Sequence, residues 1–204
     1  TPLLYSVPPA LRKEAEKLFL ERCVPAWRLG KEIRVVRGRT RWRERTQRAA
    51  VRLPGAAYKN LKTGLLGAHQ FGNTALAAAL CHVLRKRGWA LSEEALRRGF
   101  RRARWPGRFQ VVERRGRPPL ILDGAHNPEA ADALARAYRA SPWGRKKGAL
   151  IFGCLKDKDA RALARRFAPL AERVYTVNLP TERSRGSAPL AALFGARARA
   201  CRDY

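Results

Sequence analysis

Leu120-Ile121-Leu122-Asp123-Gly124-Ala125-His126-Asn127-Pro128 is the stretch on which the reading of the chain turns. Three apolar residues end in a carboxylate, and a glycine, a small residue, an imidazole, an asparagine and a proline follow. The apolar run predicts a buried strand. Asn127 stands where a helix cap belongs, and Pro128 suits a first helical turn, where its missing N–H removes no bond. The strand thus delivers polar groups at its carboxyl end, directly before a helix amino terminus. Open α/β sheets place their ligands there, and the N–H groups and dipole of the helix favour anions. A well-capped strand–turn–helix without a ligand uses the same residues, so the rest of the chain has to decide.

Downstream, strands and helices alternate. Residues 128–140 predict a helix buried through Ala131, Leu134, Ala135 and Tyr138, and residues 149–155 a strand. Residues 160–170 predict a second helix, buried through Leu163, Phe167 and Leu170, and residues 174–179 a further strand. This βαβαβ order with short connections predicts a parallel sheet with right-handed crossovers. Gly153-Cys154-Leu155-Lys156-Asp157-Lys158-Asp159 would then lie at the carboxyl end of its strand, on the same edge as Asp123 and His126. Beyond Pro180 the pattern fades.

Upstream, residues 8–22 predict a helix with Leu11, Ala15, Leu18 and Phe19 inward, and residues 33–37 and 45–53 two strands. The arginine-rich turn between the strands contains Trp42, where base stacking beside phosphate-binding arginines is one reading and a solvated hairpin the simpler one. Residues 61–66 lead into Gly67-Ala68-His69-Gln70-Phe71-Gly72-Asn73 and a helix with Leu76, Ala79, Leu80, Val83 and Leu84 inward, stopping at Gly88. Asn73 is expected as its N-cap, His69 as a packing residue, and His82 as a surface or packing histidine. Ser92 and two glutamates open another helix, with Leu96, Phe100 and Ala103 inward. Trp105-Pro106-Gly107-Arg108-Phe109 then breaks the pattern, as a rigid hinge or a platform for a flat charged ligand. It marks a division into residues 1–112 and 113–204.

Composition narrows the functional classes. The chain has 204 residues, 46% of them hydrophobic, enough for a core and against wholesale disorder. No run approaches the roughly 18 apolar residues of a membrane span, and no secretory apolar region is visible. Four cysteines without a CxxC pair argue against a zinc site or a disulfide framework and suit a reducing cytoplasm. A formal net charge of +28 would attract polyanions non-specifically, yet the arginines are spread over nearly every segment. A basic nucleic-acid-binding α/β protein is therefore the alternative reading. The first residue is Thr and there is no Met, so a processed chain or a fragment is expected. No GxxxxGK[ST] loop, GxGxxG fingerprint or nucleophile elbow is present.

What single motifs leave open, their order does not. His69-Gln70-x-x-Asn73, then Trp105-Pro106-Gly107-Arg108, then Leu122 to Pro128, then Asp157-Lys158-Asp159 resembles folylpolyglutamate synthase and its bifunctional dihydrofolate synthase relatives, in the Mur ligase superfamily. The match runs over residues 60–185. It implies an α/β fold: the remnant of a central ATPase domain over residues 1–112, then a Rossmann-like glutamate-ligase domain over 113–204. It also implies an ATP-dependent amide ligase, in which ATP phosphorylates a carboxylate of folate or dihydropteroate and the amine of L-glutamate attacks the acyl phosphate, with Mg2+ on the phosphates. By resemblance, Asn73, Arg108 and Asp123 contact the nucleotide, with Asp123 accepting from ribose hydroxyls, and Lys158 meets phosphate or a substrate carboxylate. His126 lies in the family's catalytic cleft. The family's phosphate loop, magnesium ligands and modified lysine have no counterpart here. The chain is therefore expected to be inactive alone, and the complete enzyme to be a cytoplasmic monomer. The Gly-Ala-His-Asn-Pro form favours the folate branch over a Mur-type ligase joining another amino acid.

Overall fold

A computed structural model describes residues 2–201 and divides the chain into two compact units, residues 1–106 and 107–204. The division falls six residues ahead of the expected 112/113, because the strand that starts at Gln110 pairs forward in the chain and not back.

The first unit opens with β1 (Leu3–Tyr5), α1 (Arg12–Glu21) and β2 (Ala26–Arg28), the two strands pairing in parallel. The helix expected over residues 8–22 begins as a 3-10 turn, and none of the four residues expected inward is buried. Phe19 meets Tyr5 edge-on at 4.8 Å. Next come β3 (Arg34–Arg41), β4 (Thr46–Leu53) and β5 (Ala56–Thr63), an antiparallel sheet in the order β3-β4-β5. On β4 the alternation is clean: Gln47, Ala49, Val51 and Leu53 are buried, whereas Arg48, Ala50 and Arg52 face outward, as a one-sided sheet requires. β3 bulges between Arg37 and Thr40, where a Cβ at Gly38 would fall 2.5 Å from the Arg48 carbonyl oxygen. Two helices follow, α2 (His69–Lys86) and α3 (Glu93–Arg102). Ala75, Ala78 and Ala79 of α2 and Leu96 of α3 join Ile33, Val51, Tyr58 and Leu61 in one core. Small residues on the buried face of α2 let it pack close to its neighbours.

The second unit begins with a hairpin, β6 (Gln110–Arg114) and β7 (Arg117–Leu122), turning at Gly116 with φ +67°. It continues through α4 (Pro128–Ala140), β8 (Gly148–Phe152), α5 (Ala160–Phe167), β9 (Ala171–Thr176), α6 (Ser187–Ala192) and β10 (Ala198–Ala200). β8, β9 and β10 form a parallel sheet in the order β10-β9-β8, linked by the two later helices. The expected α/β class with a parallel sheet is therefore present, with one correction. β7, expected in that sheet, pairs antiparallel with β6, with Val111 opposite Ile121 and Val112 opposite Leu120. A partner a few residues away closes a short loop at little entropic cost, whereas joining β8 requires crossing α4. Phe152, Leu163, Phe167, Val174, Leu190 and Phe194 form the core, with Ala125 packed against it.

Candidate functional site

In the second unit the residues singled out around Asp123 converge. Gly107 (φ +70°) and Phe109 (φ +42°) both adopt left-handed backbone, bending the chain so that the Phe109 N–H points at the end of β7. Left-handed geometry is free for glycine and uncommon for a bulky residue, and burial of Phe109 holds it there. Asp123 Oδ2 accepts from Phe109 N at 2.8 Å, and Oδ1 from Ala125 N at 2.9 Å. Gly124 N donates to Gly107 O at 2.8 Å, and Gly107 N to Gln110 Oε1 at 2.9 Å. The carboxylate is thus clamped by backbone donors on each oxygen. An ionised carboxylate offers about four lone-pair sites, so each oxygen keeps a further acceptor position. The exposed Arg108 guanidinium lies beside Gly124, where an added Cβ would sit 3.9 Å from Nη1.

His126 is exposed and its Nδ1 lies 2.8 Å from the Gly124 carbonyl. A carbonyl only accepts, so Nδ1 carries the proton of this bond and Nε2 is left as the basic nitrogen. Asn127 caps α4 as expected, Oδ1 accepting from Ala130 N at 2.8 Å, with Pro128 in the first turn. Ala125, inside this turn, packs on the core and ties the loop to the body of the unit.

Lys158 lies in the connection from β8 to α5, and its Nζ is 3.0 Å from Asp157 Oδ2. That ion pair is the largest influence holding the exposed Asp157 carboxyl below its ordinary value. Sequence reasoning missed the residues that brace this connection. Lys156 N donates to Arg183 O at 2.8 Å, Arg185 N to Cys154 O at 2.9 Å, and Arg185 Nη2 to Lys156 O at 2.6 Å. Arg183 Nη2 reaches Asp157 Oδ1 at 3.2 Å. The signal was there as Arg183-Ser184-Arg185, in a region without periodicity. Burial pushes the Cys154 thiol up, with Arg185 the main opposing influence.

Asn73, in the first unit, is not the N-cap expected. α2 begins at His69, and Ala68 ahead of it is already in helical conformation with no side-chain cap bond. Asn73 therefore sits a turn inside the helix, exposed, with Nδ2 donating to Gln70 Oε1 at 3.0 Å. Gln70 Nε2 in turn lies 3.0 Å from Nε2 of the exposed His69. The loop before the helix is held instead by the fully buried Gln47, whose Nε2 donates to Gly67 O at 3.1 Å and whose Oε1 accepts from Gly67 N at 3.2 Å. Among the described residues no three His, Cys, Asp or Glu side chains group as a metal site, and no helix is long and apolar enough to cross a membrane.

Residues 107–203 match the family model for the Mur ligase, glutamate ligase domain. The dihydrofolate synthase/folylpolyglutamate synthase of Bacillus subtilis is 35% identical over 119 residues, 58% of this chain and 27% of that protein. The folylpolyglutamate synthase of Thermotoga maritima has a similar structure, with TM-score 0.79 and 25% identity over 99% of this chain and 47% of that one. Escherichia coli FolC, solved with DHPP and ADP, gives TM-score 0.78 and 27% identity over 98% of this chain and 44% of that one. The chain thus spans about a quarter of its Bacillus relative and under half of either solved protein. These relatives are ligases, and the nucleic-acid-binding alternative finds no support among them.

Proposed function

We propose, with residues 107–203 carrying a glutamate ligase domain of the Mur ligase type, that the chain forms part of an ATP-dependent ligase adding L-glutamate to folate or dihydropteroate. The observation that supports it most is the Asp123 turn: a carboxylate fixed through both oxygens by backbone N–H groups, with Arg108 beside it. Fixing the carboxylate before a ligand arrives leaves little reorganisation to be made on binding, the condition under which polar recognition is strongest.

In this reading the remaining acceptor positions of Asp123 take ribose hydroxyls of ATP. Arg108 supplies a planar fork to phosphate or ribose oxygens. Asn73 donates or accepts at the nucleotide through an amide that Gln70 already orients. A carboxylate is a poor electrophile until phosphorylation gives its carbon a leaving group, and the amine of glutamate must lose a proton as it attacks. His126 Nε2 is the group assigned to that proton. Lys158, half-neutralised by Asp157, faces phosphate or a substrate carboxylate. Mg2+ on the phosphates would neutralise charge there, and among the described residues no three His, Cys, Asp or Glu side chains group to hold it. Catalysis rests on positioning and on charge.

Calorimetric titration of ATP with Mg2+ at about 0.15 M salt, where the Debye length is about 8 Å, tests the reading. Asp123→Asn keeps one acceptor oxygen for the turn and Arg108→Ala touches no backbone bond. Saturable binding by the chain, weakened by both substitutions, is the expected result. Weak, salt-sensitive binding indifferent to both would overturn it.

A further inference from the structure

We propose that the outer face of the β3-β4-β5 sheet is a docking surface for an extended acidic peptide of the pattern acidic-x-apolar-x-acidic. The inner face of β4 is taken up by the core, and Arg48, Ala50 and Arg52 point the other way. Residues directly opposite one another in an antiparallel pair share a face, so the strand register extends this row sideways. Arg52 lies opposite Arg34 of β3, Ala50 opposite Val36 of β3, and Arg48 opposite Lys62 of β5. Along β4 the face therefore reads as a cation pair, an apolar pair and a second cation pair.

Two observations distinguish this face from the cations spread over the rest of the chain. First, like charges directly opposite each other destabilise a sheet, and here both charged pairs carry one sign. None of the four cations makes an ion pair among the described residues. Arg34 Nε donates to Lys31 O at 3.0 Å and Arg48 Nη1 to Asn60 Oδ1 at 2.6 Å, bonds that hold the side chains without neutralising them. Glu44, whose carboxylate feels Lys62 and Arg48 from the β3–β4 turn, is bonded to Arg41. Second, the ground between the cation pairs is apolar: Val36, 58% exposed, stands beside Ala50.

An extended peptide laid along β4 has the same rise as the strand beneath it, about 3.3 Å per residue, and turns alternate side chains to one side. Its residues i, i+2 and i+4 then fall over Arg52, Ala50 and Arg48, the outer two about 13 Å apart. Carboxylates at i and i+4 meet the two cation pairs and relieve the repulsion within each, through guanidinium forks that match a carboxylate. An apolar side chain at i+2 lies on Val36. The pattern is the same in either chain direction. Nucleic acid fits this face less well. None of its six residues is aromatic, so bases find no stacking platform, and a phosphate backbone would set charge over Val36 and Ala50.

The test titrates the end-blocked peptide Glu-Thr-Val-Thr-Glu into the chain at about 0.15 M salt, with the backbone amides followed by NMR. Its isomer Glu-Glu-Val-Thr-Thr and a thymidine pentanucleotide are titrated alongside. The expected result is a saturable shift centred on Arg48, Ala50 and Arg52, with an affinity of about 1 mM or better. The isomer, which reaches only one cation pair, should bind about threefold more weakly. Arg52→Glu places an opposite charge beside Arg34, so the sheet keeps its fold, and binding should weaken about fivefold or more. Lys13→Glu makes the same change of charge on α1 and should alter binding by less than about twofold. Absence of shifts on β4, equal affinity for the two peptides, or equal weakening by Arg52→Glu and Lys13→Glu would overturn the proposal. Tighter binding of the pentanucleotide at the same amides would overturn it too, making the face a nucleic-acid surface.

Discussion

The Asp123 turn and the start of α2 each carry a residue proposed above for nucleotide binding, and they are built in opposite ways. At Asp123 a side chain is held by nearby backbone, with N–H groups from Phe109 and Ala125 on its two oxygens and a helix capped by Asn127 directly after it. At α2 the backbone is held by a distant side chain. Gln47, 20 residues before Gly67, bonds both its N–H and its carbonyl, while the helix itself starts without a cap. The first arrangement fixes a polar group for use. The second fixes the loop and leaves His69, Gln70 and Asn73 to order one another through side chains.

The largest effect expected from this contrast is at Asp123. Asp123→Ala leaves two backbone donors without their acceptor, one of them on the buried Phe109, at about 1–3 kcal/mol for each donor that water does not reach. Urea unfolding should show the loss, and Asp123→Asn should recover part of it. If Asp123→Ala and Asp123→Asn unfold at the same midpoint, the backbone clamp is not what fixes the turn. Next, Gln47→Leu preserves burial but deprives Gly67 of both partners, at about 1–3 kcal/mol by the same reasoning. Full stability in this variant would mean that the loop before α2 has another anchor.

The helix caps sharpen the contrast at a smaller scale. Asn127→Ala should cost about 1 kcal/mol, the usual value of a lost N-cap. Ala68→Ser should change stability by less than about 0.5 kcal/mol, because residue 68 is in helical conformation and a cap needs extended backbone. A clear gain on Ala68→Ser would show that the start of α2 can be capped after all. The smallest effect is a pH dependence. His82 has a lowered pKa in the folded chain, so as pH falls below about 6.5 the unfolded chain takes up the proton first and stability is lost. Thermal unfolding between about pH 7 and pH 5 should therefore show a shallower decline in His82→Gln than in the parent. Identical slopes would place the titrating group elsewhere.

The same contrast explains what could be read in advance. Asn127 and Ser92 were legible as caps, and the structure shows both accepting from an N–H three residues on. The helices after Pro128 and Asp159, and β4 as a strand, were legible because each signal lies within a few residues. The partner of β7 was not, because an apolar run carries no record of which neighbour completes its ladder. β10 was hidden by its length of three residues. Asn73 was misplaced by the same limit. Ala68 offered no visible cap, and the stabilising residue, Gln47, lay on another element. Arg183 and Arg185 brace the Lys158 connection from a stretch with no periodicity to announce it.

The most direct test of the Asp123 turn as a nucleotide seat is the backbone amide spectrum of the chain during titration with ATP. The amides of Phe109 and Ala125, which donate to the carboxylate, should be protected from exchange before ATP is added. On titration the largest shifts should fall on Arg108, Gly124 and His126 at about 0.15 M salt. Small shifts spread over the arginine-rich segments, vanishing as salt rises, would contradict the account. They would mean that the chain's charge, and not its folded turn, is what meets the nucleotide.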